Sequence, residues 1–359
     1  MEKFILKYFN LIRAIIAILI GIIVSVCIIY IISNEPGFSL KSLFLGPLLS
    51  KSRFGNFIET ASPIIFCGLA IAIPFQAGQF NIGAEGALFI GAVVGTAFGV
   101  STNMPAFLHI PLILIVAGLT GAFWGSIPGF LKAKWNTSEL VISLMLNYVA
   151  YFIGLYLINF HFRDKAAGYL VSYKLPETAW LIQFVPGTRI HIGVIISLGF
   201  AFLVYYFLYH TTLGYEIRTS GFNIDFARFG GINVFKVVII AQVIGGFIAA
   251  IGGMTEVMGV HRRFNWQLSP GYGWDGVVVA IIGRNNPLLI IPASLFLAYL
   301  RVGGKILNLL SDIPAEMITV IQSMIILLIT AEAFLAGWKY RITVREAKAK
   351  KEVGNEPST

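Results

Sequence analysis

Residues able to do chemistry are scarce in this chain and gather in three short polar segments between long apolar runs. The first is Phe75-Gln76-Ala77-Gly78-Gln79-Phe80-Asn81-Ile82-Gly83-Ala84-Glu85-Gly86. Pro74 and Gly78 interrupt one predicted helix and Asn81 is placed to cap the next, which leaves free N–H groups and a positive helix end for a polar solute. Phe75, Gln79 and Asn81 are assigned to a solute path. Glu85 is assigned there too, although its place in a first turn equally suits a plain helix start.

The second segment is Leu268-Ser269-Pro270-Gly271-Tyr272-Gly273-Trp274-Asp275-Gly276. Its glycines permit an irregular backbone, Asp275 can cap a short following helix, and Tyr272 and Trp274 offer aromatic faces to a sugar or base. The plain alternative is an aromatic belt at the membrane interface. The third runs from Gly214 to Asn233. Here Asn223 can start a short helix with Phe226 and Phe229 on one side, Asp225 and Arg228 elsewhere, and Gly221, Gly230 and Gly231 allowing sharp bends. An amphipathic helix lying on the membrane is the competing reading.

Enzyme chemistry finds little to work with. No two of His109, His161, His191, His210 and His261 are four apart, so the zinc-protease helix pattern is absent; Gly304-Lys305 leads into Ile306 without the glycine-rich approach of a nucleotide-binding loop. Glu59, Glu256 and Glu332 read as separate acids near span ends rather than as a dyad. Cys27 and Cys67 fall in apolar runs and suggest neither a disulfide nor a metal site. No catalytic residue, metal ligand or resident cofactor is expected, and ATP hydrolysis is not expected of this chain itself.

The elements that must position these segments are membrane spans. The chain of 359 residues is 57% hydrophobic and only 12% charged, with a mean hydropathy of +0.82. That excess exceeds what a soluble core encloses, so the bilayer is the solvent. Apolar stretches of spanning length occupy about 11–32, 57–77, 84–101, 108–131, 139–160, 190–210, 234–257, 286–307 and 313–337. The run Gly276 to Gly283 is too short to cross as a helix and has to complete a crossing with its neighbours.

The expected fold is all-α and polytopic, with about 8–10 transmembrane helices, broken or re-entrant near 74–85 and 270–284. Residues 1–337 form one membrane domain and 338–359 a basic tail. The net charge of +9 is spread over short loops and both ends, including Lys3, Lys7, Arg13, Lys132, Lys134, Arg218, Arg228, Lys236, Lys339 and Lys351. It reads as a topology signal that places both termini in the cytoplasm, not as a nucleic-acid surface. Stripes of small residues at every fourth position, such as Gly83, Ala87, Gly91, Gly95 and Gly99, predict close helix contacts.

Taken with Ser138 to Tyr148 and Gly283-Arg284-Asn285-Asn286-Pro287, the three polar segments resemble the permeases of ABC importers for branched-chain amino acids, ribose-type sugars and nucleosides. The resemblance covers about residues 57–337 and is greatest to the nucleoside and simple-sugar branch; residues 1–56 share only its character. It implies a transport subunit, not an enzyme, in a bacterial plasma (inner) membrane, passing solute delivered by an external binding lipoprotein or periplasmic protein.

The resemblance further implies a second related permease, and a cytoplasmic ABC ATPase that carries ATP and magnesium. The loop bearing Arg218, Gly221, Asn223, Phe226, Ala227, Arg228, Phe229 and Gly231 resembles the segment that couples to that ATPase, with Phe222 and Asp225 departing from the usual pattern. A nucleoside is the expected solute and a simple sugar the alternative. An ion-coupled carrier ranks behind both because the deep spans read as nearly free of acids.

Overall fold

In a bilayer no water reaches the backbone, so each segment has to satisfy its own N–H and C=O groups, and a helix does that internally. The computed structural model describes residue 20 and residues 23–330, and those residues form helices joined by loops, with no strand among them. Two isolated β-bridges, Arg163 with Ser172 and Gln183 with His191, tie down a loop. The basic residues near the N-terminus, Glu332 and the tail lie outside the described residues, as does part of the first predicted span.

The helices are α1 (Ile23–Ile32), α2 (Pro36–Phe44), α3 (Lys51–Gln76), α4 (Ala84–Ser101), α5 (Ala106–Trp135), α6 (Glu139–His161) and α7 (Ile192–His210). They continue as α8 (Thr212–Phe222), α9 (Ile224–Phe229), α10 (Val234–Glu256), α11 (Tyr272–Ile282), α12 (Pro287–Leu310) and α13 (Ala315–Thr330). Seven of these are long and apolar enough to cross a membrane: α3, α4, α5, α6, α7, α10 with its π-helical extension to His261, and α12. The starts follow from side chains that accept the first free N–H groups: Ser50 from Arg53, Ser138 from Val141, Thr211 from Gly214 and Asn233 from Lys236.

Two compact units divide the chain, Pro47–Val302 and the pair of segments Met1–Gly46 with Gly303–Thr359. In the larger unit α10 is the central helix. It runs antiparallel to α5, with Gly121 against Gly246, Gly125 against Gln242 and Gly129 against Ile239. A Cβ on Gly121 would fall 2.2 Å from the Gly246 carbonyl oxygen, and one on Gly246 2.1 Å from the Gly121 carbonyl oxygen. The predicted small-residue stripes thus bring backbone onto backbone. α4 lies parallel to α10, Gly91 beside Ala250 and Gly95 beside Met254, while α3 runs antiparallel to it, Ala70 beside Gly245 and Phe66 beside Gly252.

In the smaller unit, Ser33 Oγ donates to Asp312 Oδ1 at 2.7 Å, and Asn34 donates to Asp312 Oδ2 from its backbone N–H and from Nδ2, both at 2.7 Å. These donors hold the Asp312 carboxyl below the usual carboxylate range, the Asn34 backbone bond being the largest cause.

Candidate functional site

The first polar segment is an interrupted crossing. α3 runs through Pro74 to Gln76, and Gly78, at φ +71°, turns the chain back toward the bundle interior before α4 begins. The irregular backbone is received by one face of α6. Glu139, Ser143 and Asn147, four residues apart, accept N–H groups from Phe80 at 3.1 Å, Ile82 at 3.2 Å and Gly86 at 2.8 Å. Asn147 also donates to the Ile82 carbonyl at 3.0 Å, and Lys132 pairs with Glu139 at 3.1 Å.

Asn81 does not occupy the N-cap of α4 as predicted; Gly83 does. The Asn81 Oδ1 accepts from the Gly83 N–H at 2.6 Å, and its Nδ2 donates to Gln242 Oε1 at 2.9 Å. Gln242 Nε2 in turn donates to Gln79 Oε1 at 2.6 Å. Gln79, Asn81 and Gln242 are all buried, and a small cavity beside them is also lined by Trp124 and Ser143. Phe75 stacks on Phe80, ring centroids 4.7 Å apart, at the edge of this cluster.

The second segment meets the first. After His261 the chain descends without helical structure, its backbone engaged from outside the segment. Ser172 N–H donates to the Phe264 carbonyl at 3.0 Å, Leu175 N–H to the Arg262 carbonyl at 2.9 Å and Tyr151 Oη to the Gln267 carbonyl at 2.8 Å. α11 then starts deep in the bundle, Gly276 against Cys67 in the middle of α3, and runs to the end of α3, where Gln76 Nε2 donates to the Asn285 carbonyl at 3.1 Å. Eleven residues rise roughly 16 Å, about half a hydrocarbon core of about 30 Å. The short segment therefore shares its crossing with the descending chain, as the length argument required.

Asp275 does not cap α11. Gly271 holds that position at φ +79°, and the charge that meets the helix start is Glu85 from α4. Glu85 accepts from Gly271 N–H at 2.7 Å, from Gly273 N–H and from the Ser269 hydroxyl. A buried carboxylate on an N-terminal turn joins α4 to α11 through charge-assisted bonds. Asp275 is instead ion-paired with Arg301 of α12, which also donates to the Pro270 carbonyl and lies over the Tyr272 ring, 4.5 Å from its centroid. Tyr272 is buried and Trp274 is half exposed, so the two aromatics face different surroundings.

Sequence reasoning passed over Gln242 and Arg301 and saw Ser143 and Asn147 only inside a family stretch. Their signal was a polar residue repeating on one face of an apolar helix, or a lone charge within one. Glu59 and Glu256, predicted as separate acids, come together with His191.

The third segment forms α8 and α9. Asn223 accepts from the N–H groups of Asp225 and Phe226, both at 3.0 Å, and so starts α9 as expected. Phe222 is 91% exposed, Phe226 64% and Phe229 93%, an apolar patch at one end of the bundle. Arg228 pairs with Asp225 at 3.8 Å beside it. Arg218 is turned inward, its Nε donating to the Leu208 carbonyl at 3.0 Å with the guanidinium over the Tyr209 ring. Ala227 is fully buried beneath the patch, so it belongs to the support of α9 rather than to its outer surface. Of the three glycines expected to allow sharp bends, Gly231 has a positive φ, at +80°, and Gly221 and Gly230 do not. Gly221 is needed because a Cβ would fall 2.1 Å from the Gln76 carbonyl oxygen.

Residues 53–330 match the family described as the permease component of the branched-chain amino acid transport system. A glucose ABC transporter permease protein of Haloferax volcanii is 34% identical over 84% of this chain and 82% of its own. A guanosine ABC transporter permease protein of Bacillus subtilis is 29% identical over 96% of this chain and 98% of its own. A nucleoside ABC transporter permease protein of Lactococcus lactis subsp. cremoris is 31% identical over 93% of each. No solved structure matches the chain.

Proposed function

We propose that the solute is a nucleoside, starting from the premise that this chain belongs to the family of branched-chain amino acid transport system permease components and is a membrane-spanning permease subunit of an ABC importer. The observation that carries the reading is the nearly end-to-end match to guanosine and nucleoside permeases, which leaves no large part of this chain without a counterpart in them. A glucose permease matches at higher identity over less of the chain, so a simple sugar is the second reading. Both solutes present sugar hydroxyls, and they differ in the sugar ring and in the base that a nucleoside adds.

In this reading solute passes the buried polar junction of Gln79, Asn81, Gln242 and the α11 start, which opens as the surrounding helices move. The exposed phenylalanines of α8 and α9 seat on a cytoplasmic ATPase, which binds ATP and magnesium and hydrolyses the ATP. A related permease completes the path, and an external binding protein delivers the solute. Both termini and the α8–α9 end then lie in the cytoplasm of a bacterium.

The test is uptake into proteoliposomes holding the full complex, with labelled guanosine and labelled glucose supplied through the binding protein. ATP-dependent guanosine uptake unaffected by excess glucose is expected. Glucose uptake that excess guanosine leaves unchanged selects the sugar reading. Uptake of either that needs an ion gradient and ignores ATP removes the proposal.

A further inference from the structure

At the middle of a membrane span, lipid tails can cover hydrocarbon but cannot hydrogen-bond a hydroxyl or an amide. α6 carries Met145, Tyr148, Phe152 and Tyr156 at spacings of three and four, one stripe of exposed side chains. Tyr148, 66% exposed, stands nine residues beyond Glu139 in a helix of 23 residues. That is about 14 Å along the axis, close to the centre of a hydrocarbon layer of about 30 Å. Its hydroxyl makes no hydrogen bond among the described residues. The exposed large side chains at the middle of α5 and α7 differ: Ile115, Leu119 and Phe123, and Ile195, Phe202 and Leu203, are hydrocarbon alone and suit lipid.

The chain beside this stripe points the same way. Tyr151, on the next turn of α6, donates to the Gln267 carbonyl at 2.8 Å, which sets the segment descending to α11 against the middle of α6. Gln267, Leu268 and Ser269 of that segment are exposed and not helical, Leu268 to 77%. The N–H groups of Gln267 and Leu268 have no acceptor among the described residues. Irregular backbone at membrane depth does not face lipid; it is covered by protein or lines a watery cavity. Here Met145, Phe152 and Leu268 surround it with exposed apolar surface, which favours a packed cover over open water. We propose that the second permease subunit packs on this face, along Met145, Tyr148 and Phe152 of α6 and residues 267–269. It brings polar groups to mid-membrane depth for the Tyr148 hydroxyl and the unmet amides, as helices do across a contact within a bilayer. The inference rests on the reading of this chain as one of two permeases in the complex.

The test is photo-crosslinking of the full complex in lipid nanodiscs, with benzoylphenylalanine placed separately at Tyr148, Phe152 and Leu268, and at Phe123 of α5 for comparison. Mass spectrometry should find the first three probes joined to peptides of the second permease and the Phe123 probe joined to lipid. Should the probe at Tyr148 or Phe152 prevent assembly, the one at Leu268, on an exposed segment, decides alone. Adducts with lipid only, or only within this chain, at the sites that assemble overturn the proposal. The mass of the complex, measured before irradiation, judges the underlying reading separately: room for a single permease chain refutes the two-permease reading, whereas lipid adducts in a complex that holds both permeases refute this face alone.

Discussion

At the scale of single residues, Glu85 and Arg301 do separate tasks at one point. Glu85→Gln keeps the shape but removes the charge from three hydrogen bonds at the start of α11. Hydrogen bonds to a charged group are each worth about 1.5–3 kcal/mol, and the amide retains part of them, so a net loss of about 2 kcal/mol is expected, read as an earlier midpoint in a denaturing-detergent titration. Arg301→Met removes the ion pair with Asp275 and the bond to the Pro270 carbonyl, and that costs more, about 3–5 kcal/mol. The double variant Arg301→Met with Asp275→Asn should recover part of the loss, and failure to recover any would mean that Arg301 acts through the Tyr272 ring instead. Asp312 titrates in the smaller unit. Because its carboxyl is held below the ordinary value, its contribution is complete above about pH 4, the unfolded value, and fades as pH falls through the lowered one. Asp312→Asn should flatten that acid limb of a stability profile.

At the scale of elements, α9 separates surface from support. Phe229→Glu should abolish ATP-driven uptake while leaving the amount of protein in the membrane unchanged, since the ring touches little of its own chain. Ala227→Glu should lower that amount, because the added side chain has no room beneath the helix. Gly221→Ala should behave like Ala227→Glu, the clash being with the Gln76 carbonyl. Membrane fractions probed with a tag, together with uptake assays, check all three. The helices and their small-residue contacts were legible because apolar length and four-residue spacing are local properties of the chain. The start of α9 at Asn223 was legible for the same reason. The pairing of Glu85 with α11, of Asp275 with Arg301 and of Glu59 with Glu256 was not, since each joins residues far apart in the chain and no spacing records which helix lies beside which. Local reasoning gave Asp275 the capping role, as the acid nearest that helix in sequence; folding gave the role to Glu85.

At the scale of the whole molecule, both termini should share one side with α8 and α9. A reporter fused after Lys351 should be active only in the cytoplasm, and activity solely outside would reverse the topology and place the phenylalanine patch out of reach of any ATPase. Cysteines at Gln79 and Asn81, in a background free of Cys27 and Cys67, should stay protected in the resting complex and react with a water-soluble thiol reagent during turnover. A cysteine at Trp274 should react in both states. The start of α11 has one more consequence. A helix that begins deep in the bundle presents its amides as a cradle for phosphate or any other anion, yet here the cradle is already filled from within by Glu85. A nucleotide differs from its nucleoside by just such a phosphate, and would meet a carboxylate in the place where bare amides could have welcomed it. On the proposed solute path this occupancy would act as a charge filter, and guanosine monophosphate in excess should leave guanosine uptake by the full complex unchanged.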